Sequence, residues 1–536
     1  MRQYFLAITL LLTSSLAAAP PEVTSLIPTG ITRGQTAEIV AGGNLGGTWP
    51  LQVWTDNPGL TIEALADSGK LKVTAAADAR LGLTWLRLIG ADGASVPRPF
   101  FVGSLPEVAE VEPNNSFKER QQLSASAAIS GKLQKQNDVD VFSIPAQAGQ
   151  TLVASAIANE LLGSPMDAVL QICSESGTVL VQDNDSHGLD PQVTYTVPQA
   201  GNYLVRIFAF PSEPNSTIAF AGGDNYVYRL TITTGGYADH ALPLAVQRGK
   251  PTDLKLHGWN LPTPAAILDV PAGDLCDLLF FQPPDAAGLV PLLVTSHPSL
   301  VADITASRET PQECPLPCIL SGRLDEPKDS DVFRFTAVKG KALSIKAESD
   351  SIGYEVDPFL RVTDDAGKVL AEAESPRRGG EPVLKFTPPA DGPYRLEIAD
   401  LHRRGGLRYA YRITLAPVTP DFTVTLAAGT FSIVPGKTLE IPLTIDRQNG
   451  FAAEIDFTPE NLPAGITAAP LKSLPTGDTA KTAKLVLTAA ADAKPGMFQL
   501  LAKSAGDVPL MRRVTYSVKQ GPSTFNHGDV WLSIGK

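Results

Sequence analysis

Cysteine is scarce in this chain, with four in 536 residues, at Cys173, Cys276, Cys314 and Cys318. That is too few for a scaffold built on disulfides. The one close pair, Cys314-Pro-Leu-Pro-Cys318, has no second pair, and the nearest histidine, His297, lacks the spacing of a zinc site. The expectation is a bridge somewhere among Cys276, Cys314 and Cys318, with Cys173 a buried free thiol. Histidine is also sparse. His187, His240, His257, His297, His402 and His527 form no His-Glu-x-x-His, which removes a zincin site. There is no Gly-x-Ser-x-Gly elbow and no phosphate-cradling glycine-rich loop. Positive charge is outweighed: 44 Lys and Arg against 56 Asp and Glu leave a net charge of −12. A nucleic acid or an anionic membrane would want a basic face, so neither is an expected partner. Beyond the N-terminus no run is long and apolar enough to span a bilayer.

The N-terminus reads as a secretory signal. Arg2 supplies the positive end, Leu6 to Thr13 an apolar stretch too short for a stable span, and Ser14, Ser15 and Ala17 to Ala19 the small residues of a cleavage site. Residues 1–19 are expected to be removed by a cut between Ala17 and Ala19, although Pro20-Pro21 close by leaves an uncleaved anchor as the other reading. No cysteine follows the apolar stretch, so a lipid anchor is not supported. The reading is a secreted, periplasmic or cell-surface protein, with no transmembrane segment after cleavage.

What the sequence has in quantity is turns and alternation. Gly and Pro each number 45, while 43% hydrophobic and 19% charged residues describe a globular chain. The length implies several domains of about 100 residues each. Short runs such as Gln150-Thr-Leu-Val-Ala-Ser-Ala156 and Tyr226-Val-Tyr-Arg-Leu-Thr-Ile232 place apolar groups at every second position, and turn residues punctuate them at a spacing of about ten. No stretch sustains a helical period. The predicted fold class is all-β, a tandem array of about five β-sandwich domains.

Internal repeats set the layout. Ile129-Ser-Gly-Lys-Leu133 followed by Asp138-Val-Asp-Val-Phe142 returns as Leu320-Ser-Gly-Arg-Leu324 followed by Asp329-Ser-Asp-Val-Phe333. Downstream, Gly201-Asn-Tyr203 meets Gly392-Pro-Tyr394, and Tyr228-Arg-Leu-Thr231 meets Tyr411-Arg-Ile-Thr414. A weaker repeat pairs Ile27-Pro, Arg33-Gly34 and Asn44-Leu45 with Leu242-Pro, Arg248-Gly249 and Asn260-Leu261. The order is A–B–A–B, then a fifth segment. The expected domains are 20–104, 105–235, 236–305, 306–418 and 419–520, with 521–536 a tail, strung in series as a semi-rigid rod.

The motif series Glu110-Val-Glu-Pro-Asn-Asn-Ser116, Gly131-Lys-Leu133, Asp138-Val-Asp-Val-Phe142 and Gly201-Asn-Tyr-Leu-Val205 resembles the bacterial pre-peptidase C-terminal (PPC) domain, a β-sandwich module of many secreted peptidases and other exported proteins. The resemblance covers about residues 105–235 and 306–418. The A units look more loosely like immunoglobulin-like IPT/TIG domains, and the last segment like an immunoglobulin or fibronectin type III sandwich. The whole arrangement is similar to large exported proteins of planctomycete-type bacteria. Glu110, Glu112, Asn114, Asn115, Asn137 and Asp140 all offer hard oxygen ligands, which suits Ca²⁺ and its six to eight oxygens. In the related collagen-binding modules of clostridial collagenases, a Glu-x-Glu-Pro-Asn linker and an Asp-x-x-Asp turn bind calcium. The resemblance therefore implies these six as metal ligands, with Asn137 in the place of an Asp. The competing reading is a capping segment whose Glu and Asn bond exposed strand backbone. The second B unit has Lys328 where Asn137 stands, and its entering segment is read as Arg308-Glu-Thr-Pro-Gln-Glu-Cys314, so calcium is expected in the first B unit alone.

Other polar clusters read as structure. Asp364-Asp-Ala-Gly367 is a hairpin turn, and Asp183-Asn-Asp-Ser-His-Gly188 lacks the Glu of a calcium-binding EF-hand loop, Thr194 standing there instead. Arg377-Arg378 and Arg403-Arg404 read as solvated edges. Small sandwiches claim every domain-length stretch, so no catalytic residue and no enzyme activity are expected. The expected function is a binding or structural role toward an extracellular polysaccharide or protein. The alternative is an accessory chain of a secreted peptidase or other hydrolase.

Overall fold

The computed structural model describes residues 19–46, 48–213, 216, 219–376 and 380–535. Apart from Ala19, the expected signal segment lies outside the described residues, as does the Arg377-Arg378 pair.

Alternation in sequence becomes alternation in burial. In Thr438–Gln448, Ile441, Leu443 and Ile445 point into a core while Glu440, Pro442 and Thr444 face solvent, as a strand with a two-residue side-chain period requires. Repeated along the chain, this gives an all-β protein of paired sheets in five units. Unit 1 (22–103) packs the strands Glu22–Ile27, Thr36–Asn44, Lys70–Ala75 and Leu60–Ala64 against a second sheet centred on Gly82–Gly90. Unit 3 (237–295) is a reduced version with three strands in each sheet. Its core cluster has only nine fully buried residues, Ala238 to Val294. So small a core leans on its neighbours.

Units 2 (107–233) and 4 (299–417) are two five-stranded sheets each, with identical strand order. In unit 2 the first sheet runs Glu107–Ala109, Ala127–Lys132, Val227–Thr233, Thr151–Ile157, Gln192–Thr196. In unit 4 it runs Ser299–Val301, Cys318–Arg323, Ala410–Pro417, Leu343–Glu348, Val383–Phe386. The repeated motifs meet in the core. Gly131 lies opposite Tyr228 on the neighbouring strand, and a Cβ there would stand 2.3 Å from the Tyr228 ring. Tyr228 thus lies over the glycine and crosses to the other sheet, where its hydroxyl donates to Asp140 Oδ2 at 2.6 Å. Unit 4 repeats the device with Gly322, Tyr411 and Asp331. The first aspartate of each motif closes the preceding turn: Asp138 Oδ2 accepts from the Gln134 N–H at 2.5 Å, and Asp329 Oδ2 from the Asp325 N–H at 2.9 Å.

Each A unit docks on the following B unit in the same way. The Thr29 N–H donates to Ser130 Oγ at 2.9 Å, and the Leu244 N–H to Ser321 Oγ at 3.0 Å. Beside these contacts sit matched arginines. Arg229 pairs with Glu107 at 2.5 Å, and Arg412 pairs with Glu348 at 3.0 Å.

Two expectations about layout change. Residues 521–536 are not a tail. Ser523–His527 forms a hairpin with Tyr516–Gln520, and Val530–Ile534 sits inside a sheet of unit 5 (421–534), parallel to Thr430–Ile433 and antiparallel to Gly496–Ser504. Nor is the chain a rod, because unit 5 folds back on unit 1. Arg87, 2% exposed, donates from Nε to the Ser95 carbonyl at 2.7 Å and from its two Nη atoms to Tyr516 Oη at 3.2 Å, the Asp529 carbonyl at 3.0 Å and the Gly429 carbonyl at 3.1 Å. On the same strand face, Trp85 packs on Phe525 and, edge-on, on His527, with ring centres 5.0 and 4.7 Å apart. A second junction joins units 2, 3 and 4. Arg408 pairs with Asp239 and donates to the Ser186 and Gly353 carbonyls at 2.8 and 2.6 Å and to His187 at 3.0 Å. Around these junctions the units enclose a cavity of about 760 Å³, with Glu160, Phe280, Tyr354 and Phe525 in its wall.

Candidate metal centre

The segment entering unit 2 runs along Ala127–Lys132 as a short parallel strand, Glu107–Ala109. The Glu110 N–H continues that pairing to the Ser130 carbonyl at 3.0 Å, and Glu110 Oε2 accepts the Lys132 N–H at 2.7 Å. The chain then turns across the sandwich edge, where the Asn114 carbonyl accepts the Val141 N–H at 3.0 Å, next to Asp140. This path carries Glu110, Glu112 and Asn114 onto the start of the Asp140–Ala146 strand. One carboxylate oxygen from each of Glu110, Glu112 and Asp140 lies within 4.8 Å of the others.

Asp140 and Asn114 are fully buried, and Asp140 Oδ1, Asn114 Oδ1 and the neighbouring Asp138 Oδ1 have no hydrogen-bond donor. The Asn114 amide is oriented by its own donation to Glu110 Oε1 at 3.2 Å, and Glu112 Oε2 accepts the Asn114 N–H at 3.0 Å. Burial, and then the Glu110 charge, push the Asp140 carboxyl far above the usual carboxylate range; burial raises Glu110 as well. Unpaired buried oxygens within 4.8 Å of like charges are costly. A hard divalent cation between the Glu110, Glu112 and Asp140 carboxylates would offset that cost, and oxygen donors of this kind suit Ca²⁺. Of the six expected ligands, Glu110, Glu112, Asn114 and Asp140 converge. Asn115 and Asn137 are exposed. Asn137 acts through its backbone: φ is 66°, and its N–H donates to the Phe220 carbonyl at 3.0 Å. Asp138 was missed as a neighbour because its motif position reads as a strand start.

Unit 4 has the same frame without the oxygens. Ser299–Val301 pairs with Ile319–Ser321 as Glu107–Ala109 pairs with Ala128–Ser130. The Ala302 N–H reaches the Ser321 carbonyl as that of Glu110 reaches Ser130. The counterpart of the Glu110 segment is therefore Ala302 to Ser307, not Arg308 to Cys314. Ala302 and Ile304 stand where Glu110 and Glu112 stand, and Ile304 is 86% exposed. Lys328, with φ 75°, repeats the turn of Asn137. Asp331 is raised to about 7, chiefly by burial.

The remaining sequence candidates are structural. Asp183 Oδ2 accepts the N–H groups of Ser186 and Gln192 at 3.2 and 3.0 Å, shaping the loop that brings His187 to Arg408. Arg404 is held by Asp400 through its own N–H at 2.8 Å. Cys173 is buried as expected, Cys276 is exposed on unit 3, and Cys314 and Cys318 are buried in unit 4. Among the described residues no helix is long and apolar enough to cross a membrane.

Residues 329–400 match the sequence profile of the bacterial pre-peptidase C-terminal domain. Unit 4 is the part that matches. A Deinococcus radiodurans protein described as "Probable subtilase-type serine protease" is 31% identical over 108 residues, 19% of this chain; the match spans 14% of that protein's length. Among solved structures, the pre-peptidase C-terminal domain of a Bacillus anthracis collagenase is covered over 99% of its length by 23% of this chain, at 13% identity and a TM-score of 0.17. A Bacteroides ovatus protein of a mixed-linkage glucan utilization locus, solved with a heptasaccharide, aligns over 70% of this chain and 74% of its own, at 10% identity and a TM-score of 0.14. At these scores neither structure bears on what this chain binds.

Proposed function

We propose that the chain is an exported, non-catalytic binding or structural protein in which both B units are PPC-like sandwiches and Ca²⁺ braces unit 2. The observation that carries the reading is the set of buried oxygens without donors, Asn114 Oδ1 and Asp140 Oδ1, beside the carboxylates of Glu110 and Glu112. Bound there, the ion ties the entering segment to the sandwich and so sets how unit 2 sits on unit 1. The partner is an extracellular polysaccharide or protein, met by the assembled surface of the five units. The match to a segment of a peptidase-type relative favours a second reading, an accessory chain to a secreted peptidase.

The test of the ion is calorimetric titration and melting of the full chain without its signal, in millimolar calcium and in chelator. Binding to the native state adds about 2.7 kcal/mol at a hundredfold excess over Kd. Glu112→Gln and Asp140→Asn are expected to abolish the calcium shift. No shift in the unsubstituted protein, or the same shift in both variants, overturns the reading. Incubation with casein and with common polysaccharides tests the non-catalytic part, since turnover lost on changing one His or Ser would refute it.

A further inference from the structure

We infer that Cys314 and Cys318 form a disulfide in the exported protein, a covalent clamp in unit 4 at the sandwich end opposite to the one where carboxylates gather in unit 2. The two residues flank the crossing from one sheet of the sandwich to the other. Cys314 follows Gln312–Glu313, and its N–H donates to the Arg334 carbonyl at 2.9 Å; Cys318 opens the strand Cys318–Arg323, opposite Leu415. They are 8% and 0% exposed and share one core cluster, and the neighbouring Cys314 side chain, ahead of burial, pushes the Cys318 thiol up.

The corresponding pair in unit 2 shows that sulfur is not needed for packing there. Leu123 donates its N–H to the Ser143 carbonyl at 2.8 Å as Cys314 does to Arg334, and Ala127 opens its strand opposite Ile232 as Cys318 does opposite Leu415. Leucine and alanine fill the unit 2 core at these places, 6% and 3% exposed. Unit 4 has replaced this apolar pair with two cysteines in one core cluster, and it is also the unit whose entering segment carries Ala302 and Ile304 in place of Glu110 and Glu112. The other thiols are elsewhere. Cys173 is packed with Val141 and Leu204 in unit 2, and the Cys276 thiol donates to the Leu278 carbonyl at 2.7 Å in unit 3.

The reaction is thiol–disulfide exchange with a disulfide oxidant, RSSR. The sulfur of Cys314, the more accessible of the two, attacks one oxidant sulfur and releases RSH; the Cys318 sulfur then displaces the second RSH from the mixed disulfide. Two thiols are oxidised, one RSSR is reduced to two RSH, and both thiol protons leave with them.

The experiment uses the full chain without its signal, treated with oxidised glutathione, unfolded without reductant, alkylated, then reduced and alkylated with a second reagent before peptide mass spectrometry. The expected result is that Cys314 and Cys318 take only the second label while Cys173 and Cys276 take only the first. Reductant should lower the melting temperature by several degrees. The double variant Cys314→Leu with Cys318→Ala, which restores the unit 2 pair, should fold and lose that sensitivity. First-label reaction at both Cys314 and Cys318 overturns the inference, as does a bridge from either to Cys276. The chelator response is read separately on the same protein, so failure of the calcium reading leaves this outcome untouched.

Discussion

Arg87→Met should release unit 5 from unit 1. The guanidinium is 2% exposed and its partners across the junction are the Tyr516 hydroxyl and the carbonyls of Asp529 and Gly429, with the Ser95 carbonyl on its own side. Methionine keeps much of the volume and removes every donor. The Ser95 and Asp529 carbonyls then lose their donor, at about 1–3 kcal/mol each, while the Gly429 carbonyl keeps the Trp531 N–H at 2.9 Å. Part of this is offset, because burial disfavours the charged guanidinium, whose pKa is pushed below its ordinary value, and replacing a buried charge by an apolar group relieves that cost. The net loss should be on the order of 2–4 kcal/mol, one to three decades in the docked-to-undocked ratio. The loss falls on docking and not on either sandwich core, since Arg87 faces away from Leu86 and Leu88. Small-angle scattering should show a larger radius of gyration, and limited proteolysis should cut near residues 418–421. A variant with unchanged scattering, cleavage and melting would refute the argument and leave the Trp85–Phe525 contact as the fastening.

The same junction should be acid-sensitive. Burial, and then Arg87, lower His527 to about 4, while an unfolded histidine titrates near 6.5. Between these values the unfolded chain binds more protons, so the His527 contribution is complete above about pH 6.5 and falls with acidification, by up to about 3 kcal/mol near pH 4; His527→Phe should flatten that part of a stability–pH curve measured by denaturant unfolding. Gly322→Ala should destabilise unit 4 by more than about 2 kcal/mol, because the added methyl would stand 2.3 Å from Tyr411 Oη; a loss under about 0.5 kcal/mol in urea unfolding would show that the ring can move aside.

The all-β class and the order of units were legible because two-residue alternation and turn residues are local signals. The approach of Glu110, Glu112 and Asn114 to Asp140 was legible through a motif that names residue types at fixed spacing. Three things were not. Val530–Ile534 is a five-residue strand downstream of the turn residues Gly521-Pro522, and what makes it a strand is its partners near residues 430 and 500. The counterpart of the Glu110 segment was placed too far downstream, because only strand register, not side-chain similarity, links Ala302 to Glu110. The return of unit 5 to unit 1 rests on Arg87 and Trp85, two residues of an ordinary alternating strand, whose acceptors are backbone carbonyls. No motif marks a backbone acceptor.

The closure of unit 5 on unit 1 has a consequence for biosynthesis. Unit 1 is made before unit 5, and the Gly429 and Asp529 carbonyls that bond Arg87 follow it by 342 and 442 positions. Until they arrive, the face bearing Trp85 and Arg87 is open, and so is the cavity wall that Phe525 completes. Each sandwich can collapse in order along the nascent chain, but units 1 and 5 dock only when the hairpin of Tyr516–Gln520 with Ser523–His527 and the strand Val530–Ile534 have been delivered. A ribosome that stops short of residue 516, or a protease that trims the end, would leave four folded sandwiches with an unmatched buried-type arginine at the surface. Docking of unit 5 on unit 1 therefore waits on partners that follow Arg87 by 342 to 442 positions.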